Sequence, residues 1–299
     1  MLTASFFSYK GGSGRTSLLY NTIPFLAEAL KASPDNPIII VDCDTESAGL
    51  TFLLDCYIDK QTITVQSLCN NGIEDDESFG NLTSIRQHPF FRMLPQVGKK
   101  FGITADGKDG TILFIPADKG AIKINSGSSE NRLKELKDIC NTYGAAALIF
   151  DTPAGDQRAA KWSVDASKVI VTVMRITNQF RVGTRRYIKS NLGEWAGKNI
   201  ILCPNAVPTH DICIDGEEIN LANFKQEKII EYFSELFENA NNYLDLRMLQ
   251  GDLFGVNEVE RFKYAESVLY AAKKINDTDE AMAYERYKLL AEILEGYKS

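Results

Sequence analysis

The chain has 299 residues, 44% of them hydrophobic, and a formal net charge of -7. This length is sufficient for one large α/β domain with insertions, and the negative charge argues against a globally basic nucleic-acid-binding protein. No apolar run approaches the roughly 20 residues that cross a bilayer, and the N-terminus lacks a charged leader, so we expect a cytoplasmic protein without a membrane span. Six scattered cysteines and two histidines, without a C-x-x-C pair, argue against a zinc site.

Short apolar runs alternate with amphipathic stretches along most of the chain, which indicates βαβ units. The first strand, at residues 2–8, leads through a glycine-rich turn into a helix at residues 14–31. Further strands are predicted at residues 38–41, 112–115, 146–150, 169–173 and 199–203. We therefore predict an α/β fold with a doubly wound, mostly parallel sheet and helices on both faces.

Two segments depart from this alternation. Residues 56–110 are polar and turn-rich, so we interpret them as an insertion of short helices and loops. Beyond Pro208, amphipathic patterns at residues 221–244 and 280–297 predict a helical C-terminal portion from about residue 215. The whole chain, residues 1–299, is interpreted as a single domain with these two additions.

A glycine-rich run stands between the first strand and the first helix. It reads Lys10-Gly11-Gly12-Ser13-Gly14-Arg15-Thr16-Ser17. Glycines let backbone N–H groups turn inward, and the N-terminus of the following helix favours an anion. Tight turns also need glycine for steric reasons alone. The flanking basic residues and the two hydroxyl residues, which suit magnesium, therefore support the prediction of a phosphate site.

Polar side chains follow three other predicted strands. Asp42 and Asp44 follow the second strand, Asp151 ends the strand at residues 146–150, and Asn205 follows the strand at residues 199–203. Because parallel strands end at one edge of a sheet, these side chains are expected near the glycine run. The alternatives are that an aspartate only caps the next helix and that Asn205 belongs to an ordinary turn before Pro208.

The glycine run does not fit the usual G-x-x-x-x-G-K-[ST], because Tyr9 and Arg15 replace the first glycine and the lysine. It resembles the deviant Walker A loop K-G-G-x-G-K-[ST]-[ST] of the ParA and MinD family of ATPases, in its arginine-containing subgroup (S-Y-K-G-G-V-G-R-[ST]). The segments V-D-C-D-T-E from Val41, D-T-P-A-G from Asp151 and N-A-V-P from Asn205 resemble the family's V-D-x-D-P-Q, D-x-P-x-G and N-x-x-P.

The resemblance implies an ATPase with ATP and Mg²⁺ as ligands. Lys10 would reach the phosphates of a partner subunit, Arg15 would hold phosphate oxygens in place of lysine, and Asp44 would orient the attacking water. Arginine keeps the charge but differs from lysine in shape, so we expect nucleotide binding to survive this change and turnover to be slow. The implied metal-site residues are Thr16, Asp42 and Asp151. The implied nucleotide contacts are Lys10, Gly11, Gly12, Ser13, Gly14, Arg15, Thr16 and Ser17, with Asn205 and Pro208 at the adenine.

The leading hypothesis is an ATP-dependent switch that forms a nucleotide-sandwiched homodimer and signals to a protein partner, by family analogy in a bacterial defence-type system. A non-hydrolysing nucleotide sensor or scaffold is the first alternative. A DNA-partition ATPase is the second, with Arg181, Arg185 and Lys189 at i, i+4 and i+8 as the basic stripe. A solvated helix face or a dimer contact is favoured over DNA binding for this stripe. The final helix mixes glutamates with lysines, which favours packing against the sheet over membrane binding.

Overall fold

The computed structural model describes residues 1–53, 64–71, 111–118, 128–175, 177–205, 211–214, 217–220, 232–233, 245–248 and 278–298. The strands are β1 (Leu2–Phe7), β2 (Ile38–Asp42), β3 (Ile112–Ile115), β4 (Ala147–Asp151), β5 (Val169–Arg175), β6 (Asn199–Asn205), β7 (Asp211–Ile214), β8 (Glu217–Asn220) and β9 (Asp245–Met248). The helices are α1 (Arg15–Ala29), α2 (Gly49–Leu53), α3 (Val65–Asn71), α4 (Ser128–Thr142), α5 (Arg158–Ala166), α6 (Asn178–Asn191) and α7 (Thr278–Glu295).

Seven of the described strands form one sheet, in the order β3-β2-β4-β1-β5-β6-β9. Every pairing in this sheet is parallel. The chain first builds the side that contains β2, β3 and β4, and then crosses to β5 on the other side of β1. Ligands of open α/β sheets bind in the crevice that such a reversal opens beyond the carboxyl ends of the strands. A ligand site is therefore expected at the carboxyl ends of β1, β2 and β4.

Helices cover both faces of the sheet, which confirms the predicted fold class. On one face, α1 and α7 pack together over alternate strand residues such as Ile38 and Ile149. On the other face, α3 to α6 pack over the intervening residues such as Ile39 and Ile170. Strands buried on both faces explain why the sequence has continuous apolar runs there instead of alternation. Buried cysteines that form no disulfide bond include Cys43, Cys69, Cys140 and Cys203.

The C-terminal portion contains strands that the sequence pattern did not predict. Strands β7 and β8 form an antiparallel hairpin, and β9 joins the sheet beside β6. Each has four residues that mix polar with apolar types, so it lacks the continuous apolar run that predicts a buried strand such as β3. Helix α7 corresponds to the helix predicted at residues 280–297. We expected it to pack against the sheet; instead it packs mainly against α1, and Leu290 and Leu294 are buried in the core on that face.

Of the predicted insertion at residues 56–110, the described part is residues 64–71, which carries α3. Of the helix predicted at residues 221–244, the described part is the helical pair Tyr232 and Phe233. Across the ranges that the structure describes, no helix combines the length and the apolar character needed to cross a membrane.

Candidate functional site

The glycine-rich run, residues 10–17, forms the turn from β1 into α1, and we call it the phosphate loop. Gly12 and Gly14 have φ angles of 78° and 83°, a left-handed conformation that other residues rarely adopt. A Cβ atom placed on Gly11 or Gly12 would meet nothing within 4 Å, so this side of the loop is open. The N-cap of α1 supplies no side-chain hydrogen bond, and the first-turn N–H groups can therefore serve an anion.

Arg15 is the first residue of α1, and its side chain is held by the chain's own groups. The side chain is only 7% exposed. Nε donates to Asp151 Oδ1 at 2.8 Å, and Nη2 donates to Asp44 Oδ2 at 3.0 Å. Nη1 donates to Ser8 Oγ at 3.0 Å. The planar guanidinium thus joins the ends of β1, β2 and β4, which a lysine ammonium could not do in this geometry.

Asp151 ends β4 and is completely buried. While Oδ1 accepts the hydrogen bond from Arg15, Oδ2 accepts one from Thr16 Oγ1 at 2.8 Å. Burial raises the pKa of Asp151, and the nearby positive charge of Arg15 opposes that rise. Thr16 and Asp151, predicted from the sequence as parts of one metal site, are therefore in direct contact beside the phosphate loop.

Asp42 is also completely buried, and it organises the segment after β2. Its Oδ2 accepts hydrogen bonds from Thr51 N at 2.9 Å and Thr51 Oγ1 at 2.8 Å, and its Oδ1 accepts one from Asp44 N at 3.0 Å. Burial, aided by the charge of Asp151, raises the pKa of Asp42 to about 7, while the bonds from Thr51 and Asp44 oppose the rise. Asp42 is thus positioned to hold its neighbours in place.

Thr51 connects this segment to the end of β3, because its Oγ1 also accepts a hydrogen bond from Ala117 N at 3.0 Å. Thr51→Val removes one donor to a buried carboxylate and leaves that amide without its acceptor. We expect the free energy of unfolding to fall by about 2–3 kcal/mol, measured by urea denaturation. Thr51→Ser keeps both bonds and should lose clearly less. Equal losses in the two variants would contradict this role of the hydroxyl group.

Asp44 lies closer to the surface than Asp42, with 13% of its side chain exposed. Besides the bond from Arg15, its Oδ2 accepts one from Ser47 Oγ at 2.8 Å, and its Oδ1 accepts one from Ser47 N at 3.2 Å. Ser8 and Ser47 were not predicted from the sequence as site residues. A serine beside a motif does not by itself predict a functional role, because that role depends on which atom its hydroxyl group contacts.

Asn205 lies at the end of β6, as predicted, and contacts the phosphate loop. Its Nδ2 donates a hydrogen bond to Ser13 O at 2.8 Å, which ties the loop to the adjacent strand. The adenine contact that the resemblance implies for Asn205 stays a prediction. Pro208, its predicted companion at the adenine, lies outside the described residues.

The start of the phosphate loop packs against α6. Lys10 Nζ lies 6.0 Å from the centre of the Phe180 ring, within the range of a cation–π contact. The Tyr9 ring lies directly over Gly183, where an added Cβ would approach Tyr9 Cε1 to 2.2 Å. Gly183 is therefore needed for this close approach, and an isolated glycine within a helical pattern is the signal that could have identified it.

Magnesium needs few protein ligands beside a nucleotide, because it takes phosphate oxygens and water for most of its coordination shell. The Thr16 hydroxyl and the Asp151 carboxylate provide this donor set at the edge of the phosphate loop. Both carboxylates predicted for the metal site have their two oxygens engaged within the chain. Asp151 bonds Arg15 and Thr16, and Asp42 bonds Thr51 and Asp44. Within the described ranges, no group of three or more His, Cys, Asp or Glu residues could hold a metal ion alone.

The basic stripe on α6 is partly covered by an aromatic ring. The guanidinium carbons of Arg181 and Arg185 lie 4.5 Å and 4.9 Å from the centre of the Tyr232 ring. Arg181 also donates a hydrogen bond to Asn178 Oδ1 at 2.7 Å. Lys189, the third member of the stripe, is exposed. Two of the three predicted DNA contacts thus already have partners within the protein.

No protein-family model matches the sequence, and no curated protein matches it. Solved structures match over nearly the whole chain. Apo McdA from Cyanothece has a TM-score of 0.60 and 15% identity, covering 98% of this chain and 99% of its own. MinD with Mg-ADP from Pyrococcus horikoshii has a TM-score of 0.58 and 16% identity, covering 100% of this chain and 98% of its own.

A third solved structure, the ParA of pNOB8 bound to nonspecific DNA, has a TM-score of 0.56 and 14% identity, covering 98% of this chain and 99% of its own. All three identities are low, so these matches establish the fold, while the site rests on the geometry described above. The protein therefore has the P-loop NTPase fold of the ParA- and MinD-type ATPases.

Proposed function

We propose that this protein binds ATP and Mg²⁺ at the phosphate loop and hydrolyses ATP as a molecular switch. The observation that carries the proposal is the position of the loop. Two left-handed glycines present the N-terminus of α1 beside the bonded pair Thr16 and Asp151, at the edge of the sheet where ligands of this architecture bind. In the ATP state two copies would associate face to face, and a protein partner, in a bacterial defence-type system, would read that state.

Each side chain has a distinct task in this proposal. The loop N–H groups would bind the phosphates, and Thr16 and Asp151 would hold Mg²⁺ beside them. Bound Mg²⁺ supplies charge neutralisation on the phosphates. Asp44 orients the attacking water, and Lys10 extends to the site of the second copy. Asn205 supports the loop through Ser13 and offers its amide to the base.

Titration with a fluorescent ATP analogue, with and without Mg²⁺, tests the proposal. Thr16→Ala should lose the hydroxyl that bonds Asp151, and the Mg²⁺-dependent part of the affinity should weaken on the order of tenfold or more. Thr16→Ser retains the hydroxyl and should bind like the wild type. A wild-type protein that binds no ATP, or a Thr16→Ala variant that keeps the full magnesium effect, would refute the proposal.

One observation favours a non-hydrolysing nucleotide sensor as the second candidate. All three guanidinium nitrogens of Arg15, the residue in the place of the usual lysine, are engaged by the chain itself. Steady-state ATP turnover of the wild type and of Arg15→Lys distinguishes the two candidates. Comparable robust rates would exclude the sensor.

The DNA-partition alternative rests on α6. Its support is the similarity to a ParA bound to nonspecific DNA, together with the exposed Lys189 of the basic stripe. ATP-dependent binding to nonspecific duplex DNA that weakens steeply with salt would favour this alternative.

A further inference from the structure

Arg15 connects carboxylates on two separate segments, one after β2 and one at the end of β4. We propose that this arrangement is a latch: Arg15 holds Asp44 in the nucleotide-free protein and releases it when phosphates bind. The inference rests on the proposed function and adds a regulatory step to the same site. The Arg15 latch consists of Arg15, its two carboxylate partners Asp44 and Asp151, and Ser8.

The latch is closed in the structure. Each guanidinium nitrogen donates one hydrogen bond of 2.8 to 3.0 Å, and the side chain is almost fully buried. Buried ion pairs of this kind are costly to break, because the charge left behind is no longer compensated. Arg15 therefore leaves Asp44 only when another anion takes the place of that carboxylate.

A triphosphate is such an anion. Arginine binds phosphate oxygens with the same two-donor geometry that it uses for carboxylates. Arg15 also occupies the position at which a P-loop lysine reaches the phosphates. In the proposed latch, the phosphates compete with Asp44 for the charge of the guanidinium and draw Arg15 Nη2 away from Asp44 Oδ2.

After Arg15 releases Asp44, the Asp44 carboxylate stays in a defined position. Ser47 still donates to both of its oxygens, at 2.8 Å and 3.2 Å, so the carboxylate keeps its place while the oxygen that Arg15 occupied becomes available to a water molecule. Ser47 acts in this step as a positioning residue. The water-orienting group is thereby engaged only after the nucleotide has arrived.

The test measures ATP affinity and thermal stability in the same variants. Asp44→Asn should lower the melting temperature of the nucleotide-free protein and raise the affinity for ATP about tenfold, because ATP no longer has to displace a charge-assisted hydrogen bond. A purely structural role of Asp44 predicts the lower melting temperature without the gain in affinity.

Loss of a negative charge near the phosphates would also raise the affinity for ATP, and three controls separate this effect from the latch. Glu46→Gln removes an exposed negative charge two residues away and should change the affinity less than about twofold. In an Arg15→Gln background, Asp44→Asn should give no gain, since there is no latch to open. Ser47→Ala leaves the Arg15 contact intact and should also give no gain.

A gain in ATP affinity that persists in the Arg15→Gln background, or that Glu46→Gln reproduces, would contradict the latch. ATP binding by the wild type would still support the proposed function. A wild-type protein that binds no ATP would refute both.

Discussion

Lys10→Ala is expected to abolish ATP-dependent dimerisation while the protein stays folded. Lys10 lies at the open start of the phosphate loop, and its Nζ contacts the Phe180 ring at 6.0 Å. Such a contact at a partly exposed site contributes only about 0.5–1 kcal/mol, so its loss leaves the fold intact. In a face-to-face dimer, the same ammonium would lie against the phosphates of the other copy, where a charge-assisted contact is strong.

Light scattering of the protein with Mg²⁺ and a slowly hydrolysed ATP analogue measures this effect. Lys161→Ala is the matched control, because the Lys161 side chain is 45% exposed and its ion pair with Asp156 is long, at 3.8 Å. The control should dimerise like the wild type. A dimer that still forms with ATP in the Lys10→Ala variant would contradict the role assigned to Lys10.

Asp151→Asn should lower ATP turnover on the order of 100-fold or more, which corresponds to about 2.7 kcal/mol of lost transition-state stabilisation. The amide keeps the shape of the side chain and an oxygen for Arg15, but it removes the charge that would hold a magnesium-bound water. The free energy of unfolding should also fall, by about 1–3 kcal/mol, because Arg15 loses a charged partner in a buried site.

Phosphate release and urea denaturation measure the two effects separately. Asp156→Asn is the matched control, since its side chain is 74% exposed and lies five residues further along the chain. It should preserve both turnover and stability. If Asp151→Asn hydrolysed ATP within about twofold of the wild type, Asp151 would have no place in the metal site.

The sequence predicted the strand ends more reliably than the contacts made there. Asp42, Asp151 and Asn205 all lie at carboxyl ends of parallel strands, because apolar β-branched runs locate the strands and the parallel order aligns their ends. Strand β9 lacks such an apolar run, and its pairing with β6 depends on tertiary contacts.

The direction in which a long side chain points could not be predicted from the sequence. Arg15 can extend toward phosphates or toward carboxylates, and a motif records only that an arginine is present. The structure shows it bonded to Asp44 and Asp151, since burial without these partners would leave its charge uncompensated. In the same way, the sequence placed Asn205 at the correct edge but could not show that its amide contacts Ser13.

The contact between Tyr9 and Gly183 limits which substitutions this protein can accept during evolution. The aromatic ring fills the space in which the side chain of any other residue at 183 would begin. The two positions share one volume, so a larger residue can be accommodated at 183 only if the residue at 9 becomes smaller. The glycine-rich turn and the middle of α6, which are distant in the chain, are thereby constrained to evolve as a pair.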